Sequence, residues 1–293
     1  MGLADPLTNA DIPANEKLND GLPQSLEDCI RAYGLTHFKI KLLGDVNQDL
    51  ARLRALAKLI GAHAPRHFAY TLDGNENYKS VEPFQQLWRT LAGEKELSLF
   101  LSKCLFVEQP LHRDVALSDE TKKAHENWRD RPAMIIDESD ASFESLPRAL
   151  ECGYQGTSHK NCKGIMKGIA NACILRQKPG QILSGEDLSN VGPVALLQDL
   201  AVCASLGIPH VERNGHHYFR GLSMFPQDVQ NRVLRNHADL YAEHAAGFAS
   251  VKIKDGMMST SSTMEGALGL KFEMDLSGFT PLDQWTFDSL GID

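Results

Sequence analysis

The chain has 293 residues, of which 42% are hydrophobic, and a formal net charge of −8 at pH 7. This length and apolar content suffice to bury the core of a large domain, and the acidity excludes a basic surface for sequence-independent nucleic-acid binding. No apolar run reaches the roughly 18 residues of a membrane span, and the N-terminus lacks the features of a secretory signal. The six cysteines form no CxxC pair. We therefore expect a cytoplasmic protein without a membrane or nucleic-acid partner.

Short apolar segments alternate with longer segments of helical periodicity along most of the chain. In order, the predicted strand and helix pairs are HFKIKLL with NQDLARLRALAKLIG, FAYTLD with VEPFQQLWRTLAG, CLFVEQP with the polar stretch 119–128, AMIID with SLPRALECG, GYQGTS with IMKGIANACIL, QILSGE with PVALLQDLAVCASLG, and last the strand IPHVERN. A strand followed by a helix, repeated, predicts parallel strands joined by right-handed crossovers. The N-terminal GLADP is a candidate for an eighth, very short strand.

Two α/β folds fit this order, a closed TIM-type (β/α) barrel and an open doubly wound sheet. Polar or charged residues follow nearly every predicted strand, and a barrel gathers all those strand ends on one face, whereas an open sheet spreads them along an edge. No strand is followed by a glycine-rich nucleotide-binding loop. We therefore expect a barrel over residues 1–247, followed by an irregular C-terminal tail over residues 248–293.

Three acidic residues each follow a short apolar run: Asp73 in TLDGNENY, Glu108 in LFVEQPL and Asp137 in MIIDESD. A single acid after a strand is commonly a helix cap or the partner of a buried lysine, but three at matching positions favour a metal site. Ligation by oxygen alone favours Mg²⁺, or Mn²⁺, over zinc. Four neighbouring side chains are candidates to orient these ligands through hydrogen bonds: Asn75, Glu76, Gln109 and Glu138. For Glu138, direct binding of the metal is also left open.

Lysines flank these acids in the sequence. Lys39 and Lys41 are one residue apart, so in a strand both side chains point the same way, into the barrel; a surface pair on an edge strand is the alternative. Lys160 and Lys163 lie in SHKNCKG, after the predicted fifth strand of the list above. A desolvated lysine near other cations has a lowered pKa and can act as a base near neutrality.

The ordered set of KIK, the aspartate of LDGNE, VEQP, IIDES and KNCKG resembles the enolase superfamily, most closely the group of mandelate racemase and muconate lactonising enzyme. The resemblance implies an enzyme that binds a small carboxylate substrate on Mg²⁺ and removes its α-proton to give a metal-stabilised enediolate. Racemisation or epimerisation would make it an isomerase, and dehydration a lyase. The roles implied are metal ligation by Asp73, Glu108 and Asp137, acid/base catalysis by Lys41 and Lys160, and lowering of the pKa of Lys41 by Lys39.

The sequence departs from the family pattern after that motif. The family writes KxxKxGG where this chain has KNCKGI, so Lys163 and, in a shifted strand, His159 are rivals of Lys160. The last two predicted strands carry residues that the resemblance does not assign, of which Glu186 and His210 are candidates to contact ligands or substrate. The full set is Glu186, Asp187, His210, Glu212, His216 and His217.

Family members normally carry a capping domain before the barrel, whereas here the barrel pattern starts at once. We expect the chain to be a fragment, or a partner chain or homo-oligomer to supply the lid, and the tail 248–293 to pack on such a cap. Two further functions stay open: a Schiff-base lyase or aldolase barrel that uses a strand-end lysine, and a metal-binding barrel without turnover in the absence of a cap.

Overall fold

The computed structural model describes residues 5–186, 190–212, 220–277 and 279–290. Within these ranges, seven parallel strands form one sheet in chain order and two further strands form an antiparallel pair. The strands are β1 (His37–Lys41), β2 (Ala69–Asp73), β3 (Cys104–Glu108), β4 (Met134–Ile136), β5 (Gly156–His159), β6 (Ile182–Glu186), β7 (Val211–Glu212), β8 (Tyr241–Glu243) and β9 (Ala249–Val251).

Helices connect the strands as the sequence periodicity predicts. They are α1 (Leu26–Tyr33), α2 (Val46–His63), α3 (Val81–Gly93), α4 (Ser98–Leu101), α5 (Arg113–Ala116), α6 (Asp119–Asn127), α7 (Ser145–Glu151), α8 (Ile165–Leu175), α9 (Val194–Ser205) and α10 (Gln227–Asn236). None of the helices described is both long enough and apolar enough to cross a membrane.

Local signals set the ends of several helices. Ser25 accepts a hydrogen bond from the N–H of Asp28 at the start of α1, and Gly34, in the left-handed region, ends that helix. Asp45 and Ser118 cap α2 and α6 in the same way. Each cap satisfies a backbone group that the helix leaves unpaired, so these ends can be predicted from the sequence.

The seven-stranded sheet curls into a nearly closed barrel, which confirms the predicted fold class. Contacts between its first and last strands show the closure: Lys39 Nζ on β1 lies 2.6 Å from Glu212 Oε2 on β7. Nearer the amino ends of the same two strands, the rings of His37 and His210 stack with centroids 5.3 Å apart. Of the candidate eighth strand GLADP, Gly2 to Ala4 lie outside the described residues, and Asp5 and Pro6 are not in a strand.

Alternation along the strands separates an apolar outer face from a polar inner face. The outward side chains lie under the helices in one large core, for example Ile40, Leu72, Val107 and Ile136. Apart from a one-residue register shift between β2 and β3 at Tyr70 to Leu72, the strand register keeps the other side chains in phase around the barrel interior. The polar side chains of the inner face are His37, Lys39, Lys41, Thr71, Asp73, Glu108, Ser158, Ser184, Glu186 and Glu212. A polar lumen leads up to the carboxyl ends of the strands.

The C-terminal tail packs on the helices of the barrel itself. Strand β9 pairs with β8, so the predicted boundary between residues 247 and 248 falls inside a hairpin. Apolar residues of α9, α10 and this hairpin form a second core, against which Leu270 and Phe272 of the tail pack. Contact of the tail with a capping domain stays a prediction.

Gly74 lies where the loops after β2 and β3 come closest. A Cβ atom here would lie 2.5 Å from Pro110 Cα, whereas a Cβ at Gly61 in α2 would meet nothing within 4 Å. We expect Gly74→Ala to lower the free energy of unfolding by about 2 kcal/mol, because the loops must separate. Gly61→Ala should instead raise it by up to about 1 kcal/mol. Urea unfolding measures both effects, and a neutral Gly74→Ala would contradict the close approach.

Candidate active site

The carboxyl ends of the strands bring most of the predicted site residues together. Asp73 and Glu108 end β2 and β3, and Asp137 directly follows β4. All three are almost fully buried. Lys41 ends β1 and Lys160 follows β5, so acids and lysines from five strands share one face of the barrel. This is the face on which barrel enzymes carry their active sites.

Three carboxylates form the centre of this face. Oxygens of Glu108, Asp137 and Glu186 all lie within 4.8 Å of one another. Asp73, the third predicted ligand, is adjacent: its Oδ2 is 2.9 Å from Lys39 Nζ, which in turn is 3.1 Å from Glu108 Oε1. The ligand set Asp73, Glu108 and Asp137 stays a prediction, and the structure places Glu186 beside it. We call Glu108, Asp137 and Glu186 the acid cluster.

Lys39 is surrounded by carboxylates. The distances from its Nζ are 2.6 Å to Glu212, 2.9 Å to Asp73, 3.1 Å to Glu108 and 3.5 Å to Glu186. Burial lowers the pKa of Lys39, but the surrounding acids outweigh this and raise it well above its ordinary value. Lys39 is therefore held as a permanent cation in the barrel mouth.

Lys41 is the most exposed of the four lysines, with 27% of its side chain accessible. Its Nζ donates to Asp73 Oδ2 at 2.5 Å, the same oxygen that Lys39 contacts. The other oxygen of Asp73 accepts the N–H of Asn75 at 2.9 Å. Both oxygens of Asp73 thus already have partners within the protein.

Lys160 and Lys163 approach Asp137 from the β5 side. Lys160 Nζ lies 2.8 Å from Asp137 Oδ2 and also contacts Glu186. Lys163 Nζ donates to the backbone oxygens of Asp137, at 2.8 Å, and Ser158, at 3.0 Å, and to Asp137 Oδ1. Burial opposes ionisation of Asp137, but Lys163 and Lys160 outweigh it and lower its pKa. Lys163 holds the loop in place, whereas the Lys160 ammonium contacts only side chains within the described part of the chain.

The charges that the described residues bring to this face do not balance. Among the described residues, six carboxylates surround four lysines, which leaves two negative charges when all of them are ionised; the acids are Asp73, Glu108, Asp137, Glu138, Glu186 and Glu212. Burial raises the pKa of Glu108 to about 7, although Lys39 opposes this. The buried oxygens of Glu108 and Glu186 are partnered by lysine ammonium groups: Lys39 Nζ lies 3.1 Å from Glu108 Oε1, and Lys160 contacts Glu186 Oε1. Surplus negative charge and all-oxygen donors fit a divalent cation such as Mg²⁺ or Mn²⁺.

Gln109 links two of these acids. It directly follows Glu108, and its Oε1 accepts the backbone N–H of Asp137 at 2.8 Å and of Ser139 at 3.2 Å. Its Nε2 donates to Ser139 Oγ and to the oxygen of Leu111. The amide is buried with its oxygen and nitrogen both bonded, so it fixes the Asp137 loop; its predicted role in orienting metal ligands stays a prediction.

Asn75, Glu76 and Glu138 lie around the rim. Asn75 Nδ2 is 3.5 Å from Glu138 Oε1. Burial and the charge of Asp137 raise the pKa of Glu138. Glu76 is paired with Arg113, at 2.6 Å between Oε2 and Nη2. This ion pair accounts for Glu76 without a role at the acid cluster.

Of the predicted histidines, His210 and His159 lie in the described part of the chain, and neither points toward the acids at the strand ends. His210 lies deeper in the barrel, stacked on His37, and burial lowers its pKa to about 4. His159 faces outward, because alternation opposes it to Ser158, and its ring packs against Gly168 of α8. Asp187, His216 and His217 lie outside the described residues.

A buried ion pair behind the site was not predicted from the sequence. Lys167 Nζ lies 2.8 Å from Asp140 Oδ1, and Thr157 and Asn171 donate to the other oxygen of Asp140 at 2.9 and 3.1 Å. It ties the loop that carries Asp137 to helix α8. The sequence does contain a signal for this pair: Lys167 and Asn171 lie one helical turn apart in the otherwise apolar segment IMKGIANACIL, which indicates polar side chains on a buried helix face.

A cavity of about 680 Å³ lies beside the site, between β1 and β7. Lys39, Glu108 and Glu212 reach its lining, but Lys41 and Lys160 do not. The two candidate acid/base groups therefore face the open strand ends rather than this cavity.

No family model matches the chain, and no curated protein sequence matches it. Its fold is similar to that of an N-succinyl Arg/Lys racemase from Bacillus cereus, at 18% identity over 82% of this chain and 57% of that one, with a TM-score of 0.51. It is also similar to the L-Ala-D/L-Glu epimerase from Bacillus subtilis, at 16% identity over 78% and 56%, with a TM-score of 0.51. The chain spans about half the length of the solved structures that it matches. These similarities show a shared barrel fold.

Proposed function

We propose that this chain is the barrel of an enzyme of the mandelate racemase and muconate lactonising enzyme group of the enolase superfamily. Its reaction would begin with removal of the α-proton of a small carboxylate substrate. The observation that carries the proposal is the placement of Lys41 and Lys160 on either side of a buried group of acids at the strand ends. The order of the motifs and the barrel fold support the same group.

The acids would hold a divalent cation, Mg²⁺ in the first place and Mn²⁺ as an alternative. Glu108 and Asp137 belong to every ligand set considered above. A cation bound there would stabilise the negative charge that develops on the substrate carboxylate when the α-proton leaves. The permanent charge of Lys39 would add to this stabilisation from the β1 side.

Lys41 and Lys160 would exchange protons with opposite faces of the α-carbon. Lys163 is the weaker candidate, because its ammonium already donates to two backbone oxygens and one carboxylate oxygen. A base on each face favours racemisation or epimerisation, in which one lysine removes the proton and the other returns one. Dehydration would share the first step and differ in the fate of the anion.

A Schiff-base mechanism is the competing proposal. It needs an uncharged amine, and the acids around Lys39 hold that lysine in its charged form. An aldolase-type lysine would therefore have to be Lys41, Lys160 or Lys163. Trapping with borohydride separates the two mechanisms.

Proton exchange in D₂O tests the proposal directly. The probes are L-Ala-L-Glu and N-succinyl-L-arginine, chosen after the compounds in the names of the two similar structures. We expect loss of an α-proton signal in the ¹H NMR spectrum with Mg²⁺ present, and none after addition of EDTA. Exchange that persists in EDTA, or a borohydride-trapped adduct, would contradict metal-assisted proton abstraction. No exchange with either probe would contradict an isomerase of amino-acid derivatives.

A further inference from the structure

One buried histidine holds part of the C-terminal tail against the rest of the protein. His237 directly follows α10 and is fully buried. Its Nδ1 lies 2.9 Å from Ser262 Oγ, and its Nε2 accepts the backbone N–H of Lys271 at 3.2 Å. Its ring also packs edge-on against Phe272, with ring centroids 6.2 Å apart. Both ring nitrogens therefore contact residues 259–273, which we call the tail segment.

These two hydrogen bonds require a neutral ring. Because Nε2 accepts a backbone N–H, the single proton of neutral His237 lies on Nδ1 and is donated to Ser262. A charged ring carries a proton on each nitrogen, so two N–H groups would then face each other at Lys271. Water cannot separate them in place, since no part of His237 is exposed. Uptake of a proton by the ring therefore requires the tail segment to move away.

Charges near the ring shift its pKa in both directions. Burial lowers the pKa of His237 and outweighs Asp239 and Glu265, which raise it, while Lys271 lowers it further. Lys271 Nζ is itself paired with Glu265, at 2.6 Å. The C-terminus of a helix favours a cation, but burial and the conflict between two donors oppose one here. The ring is therefore neutral near pH 7 while the tail segment is docked.

Other charged groups surround the same contact. Asp239 Oδ2 accepts hydrogen bonds from Ser259 Oγ at 2.7 Å and from the N–H of Ser262 at 3.0 Å. Burial opposes ionisation of Asp239, but these serines outweigh it and lower its pKa to about 2. Lys252 and Arg232 donate to backbone oxygens of the turn after α10 and of the tail segment. Of the groups named around this contact, the histidine is the one that changes charge between about pH 5 and 8.

The start of the tail segment and the residues just before it form a wall of the cavity between β1 and β7. Residues 256–258 and Thr260 belong to the lining of that cavity, as do Lys39 and Glu108 of the strand-end site. Gly256 at this wall donates its N–H to the oxygen of Tyr33 at 2.7 Å. Movement of the tail segment would therefore open the cavity on this side.

We propose that His237 is an acid-sensitive switch of the C-terminal tail. The neutral ring holds the tail segment on α10, and uptake of a proton releases the segment and opens that wall of the cavity. Above about pH 6.5, the ordinary pKa of histidine, the ring is neutral in both states and docking is strongest. As the pH falls below this value, the released state binds the proton more tightly, so docking weakens by up to about 10-fold per pH unit. The switch lies outside the strand-end site and does not depend on the proposed function.

Hydrogen–deuterium exchange of the full chain, followed by mass spectrometry at pH 7.5 and 5.5, tests the switch. After correction for the intrinsic pH dependence of exchange, we expect protection of the wild-type tail segment to fall about 10-fold at pH 5.5. Peptides from α2 and β2 should keep their protection. His237→Gln cannot take up a proton, so its tail segment should be less protected than wild type at pH 7.5 and should not respond to pH.

His67→Gln is the matched control, because His67 is exposed two residues before β2. It should keep the pH dependence of the wild type. Ser262→Ala removes one hydrogen bond and keeps the titrating ring, so protection should fall at both pH values and still depend on pH. This variant and the wild type decide the question if His237→Gln does not fold. Equal wild-type protection at the two pH values, a pH dependence that persists in His237→Gln, or its loss in Ser262→Ala would overturn the switch.

Discussion

Replacing Lys41 or Lys160 with methionine is expected to lower the rate of racemisation by about 10²- to 10⁴-fold, the usual contribution of a general acid or base. Each variant keeps one lysine, so α-proton exchange in D₂O should survive for one enantiomer of the substrate. The surviving enantiomer should be opposite in the two variants. Mn²⁺ affinity should be kept or tightened, because each lysine competes for a carboxylate of the site.

Lys163→Met separates the two candidates on the β5 side. Lys163 bonds the backbone of the Asp137 loop, so its loss should reduce stability and Mn²⁺ affinity without selecting one enantiomer. Chiral chromatography and ¹H NMR on the same samples report racemisation and exchange. Enantiomer-selective exchange in Lys163→Met, with normal behaviour in Lys160→Met, would transfer the catalytic role to Lys163. Loss of the same enantiomer in Lys41→Met and Lys160→Met would refute a base on each face.

Lys167→Met is expected to lower the free energy of unfolding by about 3 to 5 kcal/mol, because it leaves the carboxylate of Asp140 buried without its counterion. Both side chains of the pair are almost fully buried, so water cannot replace the lost partner. The double variant Lys167→Met with Asp140→Asn should recover part of the loss, since no charge then remains buried. Denaturant unfolding of the wild type, Lys167→Met and the double variant measures the three free energies of unfolding.

Lys178→Met provides the control for loss of a lysine charge, because Lys178 is exposed just after α8. It should change stability by no more than about 0.5 kcal/mol. The ion pair holds the loop of Asp137, so Lys167→Met should also weaken Mn²⁺ binding under conditions where the variant remains folded. Equal stabilities of Lys167→Met and Lys178→Met would show that Asp140 is neutral or solvated in the folded protein.

Local patterns were sufficient for the elements and for most of the site. The helix predicted at VEPFQQLWRTLAG agrees with α3, and the one at IMKGIANACIL agrees with α8. The one-residue spacing of Lys39 and Lys41 predicted that both face the barrel interior, and their contacts with Asp73 confirm it. Such features depend on neighbours along the chain, which are visible in the sequence.

The placement of isolated polar residues was not predictable in the same way. His210 and Glu212 are two residues apart on the same face, yet only Glu212 reaches Lys39, because depth along the strand separates them. Lys160 and Lys163 could not be told apart in the sequence, whereas the structure shows that Lys163 donates to the backbone oxygens of Asp137 and Ser158. The depth of a residue in the barrel depends on the stagger of all strands, which no single segment encodes.

The sequence by itself determined the barrel class, the strand ends that carry acids and lysines, and the side to which each strand residue points. These follow from a period of two along strands and from capping signals, both of which are local physics. The tertiary structure alone decided that Glu186 meets Glu108 and Asp137, and that Lys167 neutralises Asp140. Closure of the sheet brings strands that are not neighbours within a few ångströms of each other, and burial there makes every unbalanced charge require a partner.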